Sequence, residues 1–584
     1  MADSNFSRRE FLKFNTLAGL GVALNQLMPN SVFGKNYDTS IGHEPAFYFD
    51  AVTTIGPHKY KHPAEQWKLD DLIKELEFCS VSGALVSNTL SVTYDAMFSN
   101  LELSRMLAPY KNLFAVWNVL PDQTDEFPSA EELGSLMEKY DVRAVSICPT
   151  TNAWDWKASY NQELLKWLSK KRVLTLIDYA EFGNWDEVEQ LLGAFPHLPL
   201  LVHNIYWSDQ RYLIPSMVHH KNLHCTFDHL QNMYGIEYMY KKGLVDQMLF
   251  GSNAPTMSAG AHRTFMDYAD IPESAREKIA GGNLIRLLKG QKPPAVIENK
   301  SEDVFMAAVR RGQIVPATVL DMHMHILHEG LNGAGWGYTM EGGGPRGVFE
   351  LVKKLGYSGG GFMSWNGVVS SDSSGGNITT KECLDVAPRG YWGLANFDPV
   401  HYSQSELKNM IPSLYENDGR FIGMKPYHYI GVRYDDPSWN VWWEYGNEHK
   451  LYALLHSQQT DMNEYTTLAS RYPNCRWIIA HAGQSFTYAE KCVHVAKEHP
   501  NVYLDITLTS VPLGMIEYLV ENGGVGKVLY GSDLPMRDPR PQFGWVIFSH
   551  LSLEEKRRVL GLNAYEVIQP CLSRLPESSR PVLK

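Results

Sequence analysis

The sequence predicts an α/β protein made of two tandem (β/α)8 barrels of TIM type, the first of them degenerate. Three observations carry this. Short β-rich runs alternate with amphipathic helical stretches throughout, the pattern of parallel strands joined by helices. The two halves end on matching segments, Met248-Leu249-Phe250-Gly251-Ser252-Asn253-Ala254-Pro255 and Val528-Leu529-Tyr530-Gly531-Ser532-Asp533-Leu534-Pro535. The copies are offset by roughly 270 residues, far too long for a solenoid repeat and about right for one barrel each. At 584 residues the chain is long enough for two such domains.

The elements follow in order. Residues 1–34 are set apart as an export signal. Ser7-Arg8-Arg9-Glu10-Phe11-Leu12-Lys13 resembles the twin-arginine pattern S-R-R-x-F-L-K; the alternative is a chance Arg-Arg pair in a soluble terminus. Residues 16–28 are mildly apolar, too short and too polar to span a bilayer. Val32 and Gly34 are small enough to place cleavage just after Gly34. The resemblance implies a bacterial protein that meets the Tat translocase and is exported to the periplasm or beyond.

The first barrel is expected over residues 45–288. Its strand candidates include Gly83-Ala84-Leu85-Val86-Ser87, Leu113-Phe114-Ala115-Val116-Trp117 and Val173-Leu174-Thr175-Leu176-Ile177, with a helix over 71–79. Residues 289–317, with Lys292-Pro293-Pro294, read as a linker. A helix over 301–312 would pack on either barrel. The second barrel is expected over 318–575, with a helix over 347–355 and a mobile Ser/Gly-rich loop over 370–376. The glycines at 342–344 and 359–361 precede no G-K-[ST], so they read as tight turns at the barrel mouth and not as a phosphate loop. In the middle of each copy, Leu200-Leu201-Val202-His203-Asn204 lies opposite Ile478-Ile479-Ala480-His481-Ala482-Gly483.

Composition narrows the partners. Lys plus Arg is 53 and Asp plus Glu is 65, a formal net charge of −12, and no basic run stands out. That disfavours nucleic acid and anionic membranes. The seven cysteines form no C-x-x-C pair, which argues against a cysteine-based zinc site or a disulfide framework. A small-molecule substrate is expected, and a homo-oligomer stays open.

The chemistry concentrates in the second half. Asp321-Met322-His323-Met324-His325 follows a short apolar run. In a strand, alternation points both imidazoles to one face, where they can share a divalent ion. His-x-His alone is weak, but His456, His481 and Asp533 each cap another apolar run, where a barrel places its active site. Imidazoles and a carboxylate suit zinc and similar borderline metals. Taken singly, each histidine has an ordinary structural reading, and Asp533 could be a turn or helix cap.

With Asp-x-His-x-His, His-Ala-Gly and Tyr-Gly-Ser-Asp-Leu-Pro in order, the sequence resembles the amidohydrolase superfamily, in its amidohydrolase-2 branch. The resemblance covers residues 318–568 and, more weakly, 47–288. It implies (β/α)8 barrels, with His323, His325, His456 and Asp533 as ligands of a divalent metal ion, zinc first. His481 would be the sixth-strand histidine beside it. It implies that the ion acidifies a water, that Asp533 takes the proton and passes it to the leaving group, and that His481 or the ion polarises the scissile carbonyl. Lys425 falls where two-metal relatives carry a bridging lysine, yet single-metal relatives also have a lysine there. Its plainer reading is a contact to an anionic substrate. His428 and Gln484 are further candidates for substrate contacts, with an ordinary loop histidine as the plainer reading of His428. Trp365, Tyr427, Trp442 and Trp443 are expected near the mouth, and His328 reads as an ordinary loop histidine.

The first half has Val52 and Thr54 in place of the paired histidines, Asp178 or a neighbour at the fifth strand, and Asn253 for the aspartate, with His203 alone retained. Such a set cannot hold a divalent cation tightly. His58 and His62 read as surface loop residues. A catalytically dead barrel is expected, packed on the live one or on another chain.

Three functions compete: a metal-dependent hydrolase of a small lactone, ester or amide; a metal-dependent decarboxylase of a small unsaturated or aromatic acid; and an exported binding or scaffold protein without turnover. The intact ligand set in the second copy argues against the last.

Overall fold

The computed structural model describes residues 47–58, 62–333, 337, 339–427, 430–456, 461–507 and 510–584. The export motif at 7–13 and the site after Gly34 lie outside them, as does His428. Both barrels belong to one compact unit, Ile41–Lys584.

The first sheet runs β1 (Phe49–Ile55), β2 (Gly83–Asn88), β3 (Leu113–Asn118), β4 (Ala144–Ser146), β5 (Leu174–Asp178), β6 (Leu200–His203) and β7 (Leu223–Cys225). All neighbours are parallel and in sequence order. Among the described residues this sheet has seven regular strands. Residues 248–254 take the place of an eighth, bridging Cys225 to Met248 and Thr53 to Ala254. Ala51 N–H donates to the Phe250 carbonyl (2.9 Å) and Asn253 N–H to that of Val52 (2.9 Å), which brings the ring back to β1.

The second sheet has eight parallel strands in order: β8 (Leu320–Ile326), β9 (Gly359–Ser364), β10 (Tyr391–Ala395), β11 (Phe421–Met424), β12 (Tyr452–Leu455), β13 (Arg476–Ile479), β14 (Val502–Asp505) and β15 (Val528–Leu529). Residues just after β15 close it: Met322 N–H donates to Tyr530 O (3.0 Å) and Asp533 N–H to His323 O (2.8 Å). Gly359–Gly361 lie inside β9 and not in a turn. A Cβ on Gly360 would come within 2.6 Å of the Asp321 carbonyl, so the close approach to β8 requires glycine.

The connecting helices start where their sequences provide caps. Ser129/Glu132, Ser403/Glu406 and Ser552/Glu555 form reciprocal capping boxes, and the helix Gln404–Asp418 stops at Gly419 with φ 70°. Residues 370–376 are not a loose loop. Asp372 caps Gly375, and Ser373–Asp385 is a helix. Residues 289–317 form a strap tied to both barrels. Asn299 Nδ2 donates to the Phe78 carbonyl (2.7 Å) in the first, and Asp303 pairs with Lys556 (2.6 Å) in the second. Its helix is Val304–Arg310, with Phe305 and Met306 buried. The second barrel's packing continues past 575: Lys584 N–H donates to Thr318 Oγ1 (2.7 Å).

The barrels share an internal framework. Asp50 Oδ1 accepts from Val52 N–H (3.0 Å) and Ser252 N–H (3.1 Å); Asp321 Oδ1 accepts from His323 N–H (3.0 Å) and Ser532 N–H (3.2 Å). Asn283 Nδ2 donates to the Val245 and Met248 carbonyls, as Asn563 Nδ2 does to Val525 and Val528. Asn100 brackets the backbone of Asn118 as Asn377 brackets that of Asn396. These buried polar groups satisfy backbone at the same points of each ring.

Two helices join the barrels, α1 (Ala259–Asp267) and α2 (Pro539–Ile547). They approach closely where Gly260 meets Phe548 and Gly544 meets Thr264, positions with no room for a side chain. Arg540 on α2 reaches across to Glu237 with two bonds (2.6 and 3.0 Å) while also holding Asp538 (2.7 and 2.6 Å), all buried. Ser258 N–H donates to Val511 O (2.9 Å) and Leu513 N–H to Thr256 O (3.1 Å). His62 stacks on Phe486 of the second barrel, so it is an interface residue and not a free surface histidine.

Candidate metal centre and active site

Alternation along β8 sends Asp321, His323 and His325 to one face and Met322 and Met324 to the other. The remaining groups stand at strand ends. Lys425 follows β11, His456 follows β12, His481 follows β13, Asp505 ends β14 and Asp533 lies four residues past β15. These are the C-terminal ends of the strands, hence the barrel mouth. His481 (φ 61°) and Asp533 (φ 62°) are both left-handed, a bend that turns each side chain off its strand.

Asp533 Oδ1 lies 3.3 Å from His325 Nε2 and 3.7 Å from His323 Nε2. Two clusters are compact enough to hold a metal ion: His323, His325 and Asp533, and His323, His481 and Asp505, with donor atoms all within 4.8 Å. Among the described residues both lie in the second barrel. His456 is in neither. Its Nδ1 is 3.1 Å from His481 Nε2, and its ring meets Tyr427 edge-on. Lys425 Nζ sits 3.4 Å from His323 Nε2. Gln484 follows His481 in a turn, its N–H donating to the His481 carbonyl (3.2 Å).

The partners fix the imidazole tautomers. His481 Nδ1 is 2.6 Å from the Thr507 carbonyl, which can only accept, so Nδ1 carries the proton and Nε2 the lone pair. His323 Nδ1 donates to Asp505 Oδ2 (2.9 Å), which turns the Nε2 lone pair toward Asp533. Thr507 in turn donates to Asp505 Oδ1 (2.6 Å). The buried Nδ1 of His325 has no hydrogen-bond partner.

Charge follows burial. Burial, with Lys425 beside it, holds His323 well below the usual imidazole range, and burial lowers His325 and His481 as well. They therefore stay neutral, as ligands must be. Burial alone would raise Asp533, but the hydrogen bond with His325 holds its carboxyl below the usual range. Burial raises Asp505, against the pull of His481, and brings Lys425 down to about 8. Neutral imidazoles and an ionised carboxylate, with donor atoms within 4.8 Å of one another, form a donor set that fits a divalent ion.

Two expected pocket residues lie elsewhere. Trp442 and Trp443 are buried in the helix Asn440–Glu448, stacked with Trp439 behind the barrel wall, and bond to Tyr415 OH and the Tyr434 carbonyl. Trp365 does meet His325 edge-on, with centroids 5.2 Å apart. His328 bonds Thr379 Oγ1 at 3.0 Å. Asp505, Thr507 and Arg537 emerge only from the structure. Asp505 does cap the apolar run Val502-Tyr503-Leu504, the same signal that marked the other candidates.

The first barrel's matching positions carry Val52, Thr54, Ser146, Asp178, Asn204 and Asn253. His203 is not the counterpart of His481. Strand pairing places Ile177 against Val202 as it places Leu455 against Ile479, so His203 matches Ala480 and Asn204 matches His481. Asn204 (φ 57°) and Asn253 (φ 58°) share the left-handed bend of His481 and Asp533. The carboxylate near β7 has also traded places with its threonine. The pair Thr226/Asp228 bonds at 2.5 Å where Asp505/Thr507 bonds at 2.6 Å, and Asp228 holds Asn204 N–H (3.0 Å) and Asn253 Nδ2 (2.9 Å). Hydrogen-bonded amides stand where the second barrel has His481 and Asp533.

Residues 418–569 match the family model described as Amidohydrolase. The match spans β11–β15, with Lys425, His456, His481 and Asp533, and begins after the β8 histidines. Three of the solved structures to which the chain is similar are the following. One is 5-carboxyvanillate decarboxylase from Novosphingobium aromaticivorans, with bound manganese (11% identity, 42% of this chain, 97% of that one, TM-score 0.35). Another is 2,6-dihydroxybenzoate decarboxylase from Rhizobium (12%, 42% and 98%, TM-score 0.34). The third is amidohydrolase 2 from Bifidobacterium longum subsp. infantis (16%, 43% and 99%, TM-score 0.33). No curated protein matches the chain in sequence.

Proposed function

We propose that the second barrel is a metal-dependent hydrolase of the amidohydrolase family, acting on a small lactone, ester or amide. The observation that carries this is the buried set His323, His325 and Asp533, with Asp505 behind His323. His323, His325 and Asp533 would hold a zinc ion, with His456 as a further ligand, and the ion would supply a Lewis acid and lower the pKa of a water molecule.

The chain's own residues do the rest. Asp533, ionised near neutral pH, accepts the proton of the attacking water on a carboxylate oxygen and returns it to the leaving group. His481, neutral and oriented by the Thr507 carbonyl, presents Nε2 beside His456. Lys425, His428 and Gln484 contact substrate. The first barrel is a duplicated copy without metal chemistry, and export by the twin-arginine route delivers the folded protein to the periplasm.

A decarboxylase of a small unsaturated or aromatic acid is the second reading. Two cations favour it: Lys425 Nζ lies 3.4 Å from His323 Nε2, and Arg537 Nε 3.4 Å from Asp533 Oδ2. Such charges near the candidate ligands suit a carboxylate substrate. A panel of lactones, esters, amides and aromatic carboxylates offered to zinc-loaded protein separates the two. Hydrolysis supports the first reading, carbon dioxide release the second, and turnover of neither class by fully loaded protein contradicts both.

A further inference from the structure

The first barrel reaches the candidate metal centre of the second. The segment following Asp533 is held from the other side of the interface. Asp538 N–H donates to the Gln231 carbonyl (2.7 Å), and Asp538 Oδ2 accepts from Tyr234 N–H (3.0 Å). Between these clamps and Asp533 stands Arg537. Its guanidinium carbon lies 5.1 Å from the ring centroid of Trp207, and its Nε donates to Asp533 Oδ2 (3.4 Å). Trp207 belongs to the short turn Trp207–Asp209 after β6 of the first barrel. Its carbonyl accepts from Asn232 Nδ2 (2.9 Å), which also reaches the Thr339 carbonyl (3.3 Å).

We propose that Trp207 and Arg537 form a positioning pair through which the first barrel fixes the Asp533 carboxylate. This rests on the reading of Asp533 as a metal ligand. Its Oδ1 faces His323 and His325, and Oδ2 is the oxygen that Arg537 holds. A long arginine left in solvent would sample many rotamers; a ring beneath the guanidinium plane selects one. The carboxylate then keeps Oδ1 turned toward the histidines. The matching residue of the first barrel is Met257, which has neither charge nor donor, and there Asn253 is held by Asn204 and Asp228 instead. Of the two matching positions, the one with the carboxylate is the one with the relay. The relay also gives the first barrel a reason to persist without ligands of its own.

The test is titration of metal-free full-length protein with Co2+ alone, followed by its visible absorption. Outer-shell partners of metal ligands are worth about 10-fold to 100-fold in affinity. Trp207→Ala is therefore expected to bind Co2+ about 10-fold more weakly and with an altered spectrum, while Trp207→Phe, which keeps a ring face, restores both. Arg537→Lys, which keeps charge but loses the planar stack, is expected to match Trp207→Ala. The double variant should be no weaker than either single one, because the two act as a unit. Tyr206→Ala, one residue away, should leave binding unchanged. Wild-type affinity and spectrum in Trp207→Ala, or losses that multiply in the double variant, would overturn the pairing. If Trp207→Ala does not fold, Arg537→Lys decides: weakened binding supports the pair and wild-type binding refutes it. Wild-type protein that takes up no Co2+ would refute the metal reading itself, and this inference with it.

Discussion

His323 and Asp505 are joined by a 2.9 Å bond from Nδ1 to Oδ2, entirely buried. That bond decides which nitrogen of the first β8 histidine carries the lone pair, and so makes Asp505 the residue that orients a candidate ligand. Asp505→Asn is expected to weaken metal binding by about 10-fold to 100-fold while the protein stays folded. Competition with a chelator of known affinity measures it. Unchanged affinity would remove Asp505 from the site.

His203 lies opposite Ala480 and has no counterpart among the candidate ligands. His203→Ala is expected to leave metal content and turnover at the wild-type level. Loss of bound metal in this variant, by elemental analysis, would mean that the first barrel contributes ligands after all.

Arg540 neutralises Glu237 and Asp538, and all three are buried. Removing one partner of a buried ion pair leaves charge uncompensated and costs about 3–5 kcal/mol. Arg540→Ala should therefore lower stability by about that amount in denaturant unfolding, and separate the barrels first. A drop under about 1 kcal/mol would class the pair with exposed ones.

His224, in β7, is brought from 6.5 down to about 3, by burial first and the nearby Arg286 charge second. Its folded pKa lies below its unfolded value. Stability is therefore fully present above about pH 6.5 and is lost as pH falls toward about 3, where the unfolded chain binds the extra proton. His224→Asn should flatten that part of the stability curve. An unchanged slope between pH 6 and 4 would assign the acid sensitivity to other groups.

Much of this was legible in the chain. Alternating runs marked most strands, and the Gly-Ser-Asx-x-Pro segments marked the end of each ring, because they build the turn that returns to the first strand. Strand ends were less legible. Leu200-Leu201-Val202 gives no sign of where β6 stops, and a one-residue shift moves a side chain to the opposite face, which is how His203 stood in for Asn204. Trp439, Trp442 and Trp443 follow helical spacing, so their place behind the wall was readable, but aromatic character near the candidate site suggested a pocket. The Trp207–Arg537 contact left no trace in sequence, since it depends on how two complete barrels meet.

The most direct test of the central claim is metal content by elemental analysis of wild-type protein and the His323→Ala/His325→Ala double variant, both folded with zinc present. A single centre in the second barrel predicts about one equivalent in wild type and none in the variant. No metal in well-folded wild type, or metal retained by the variant, would contradict it.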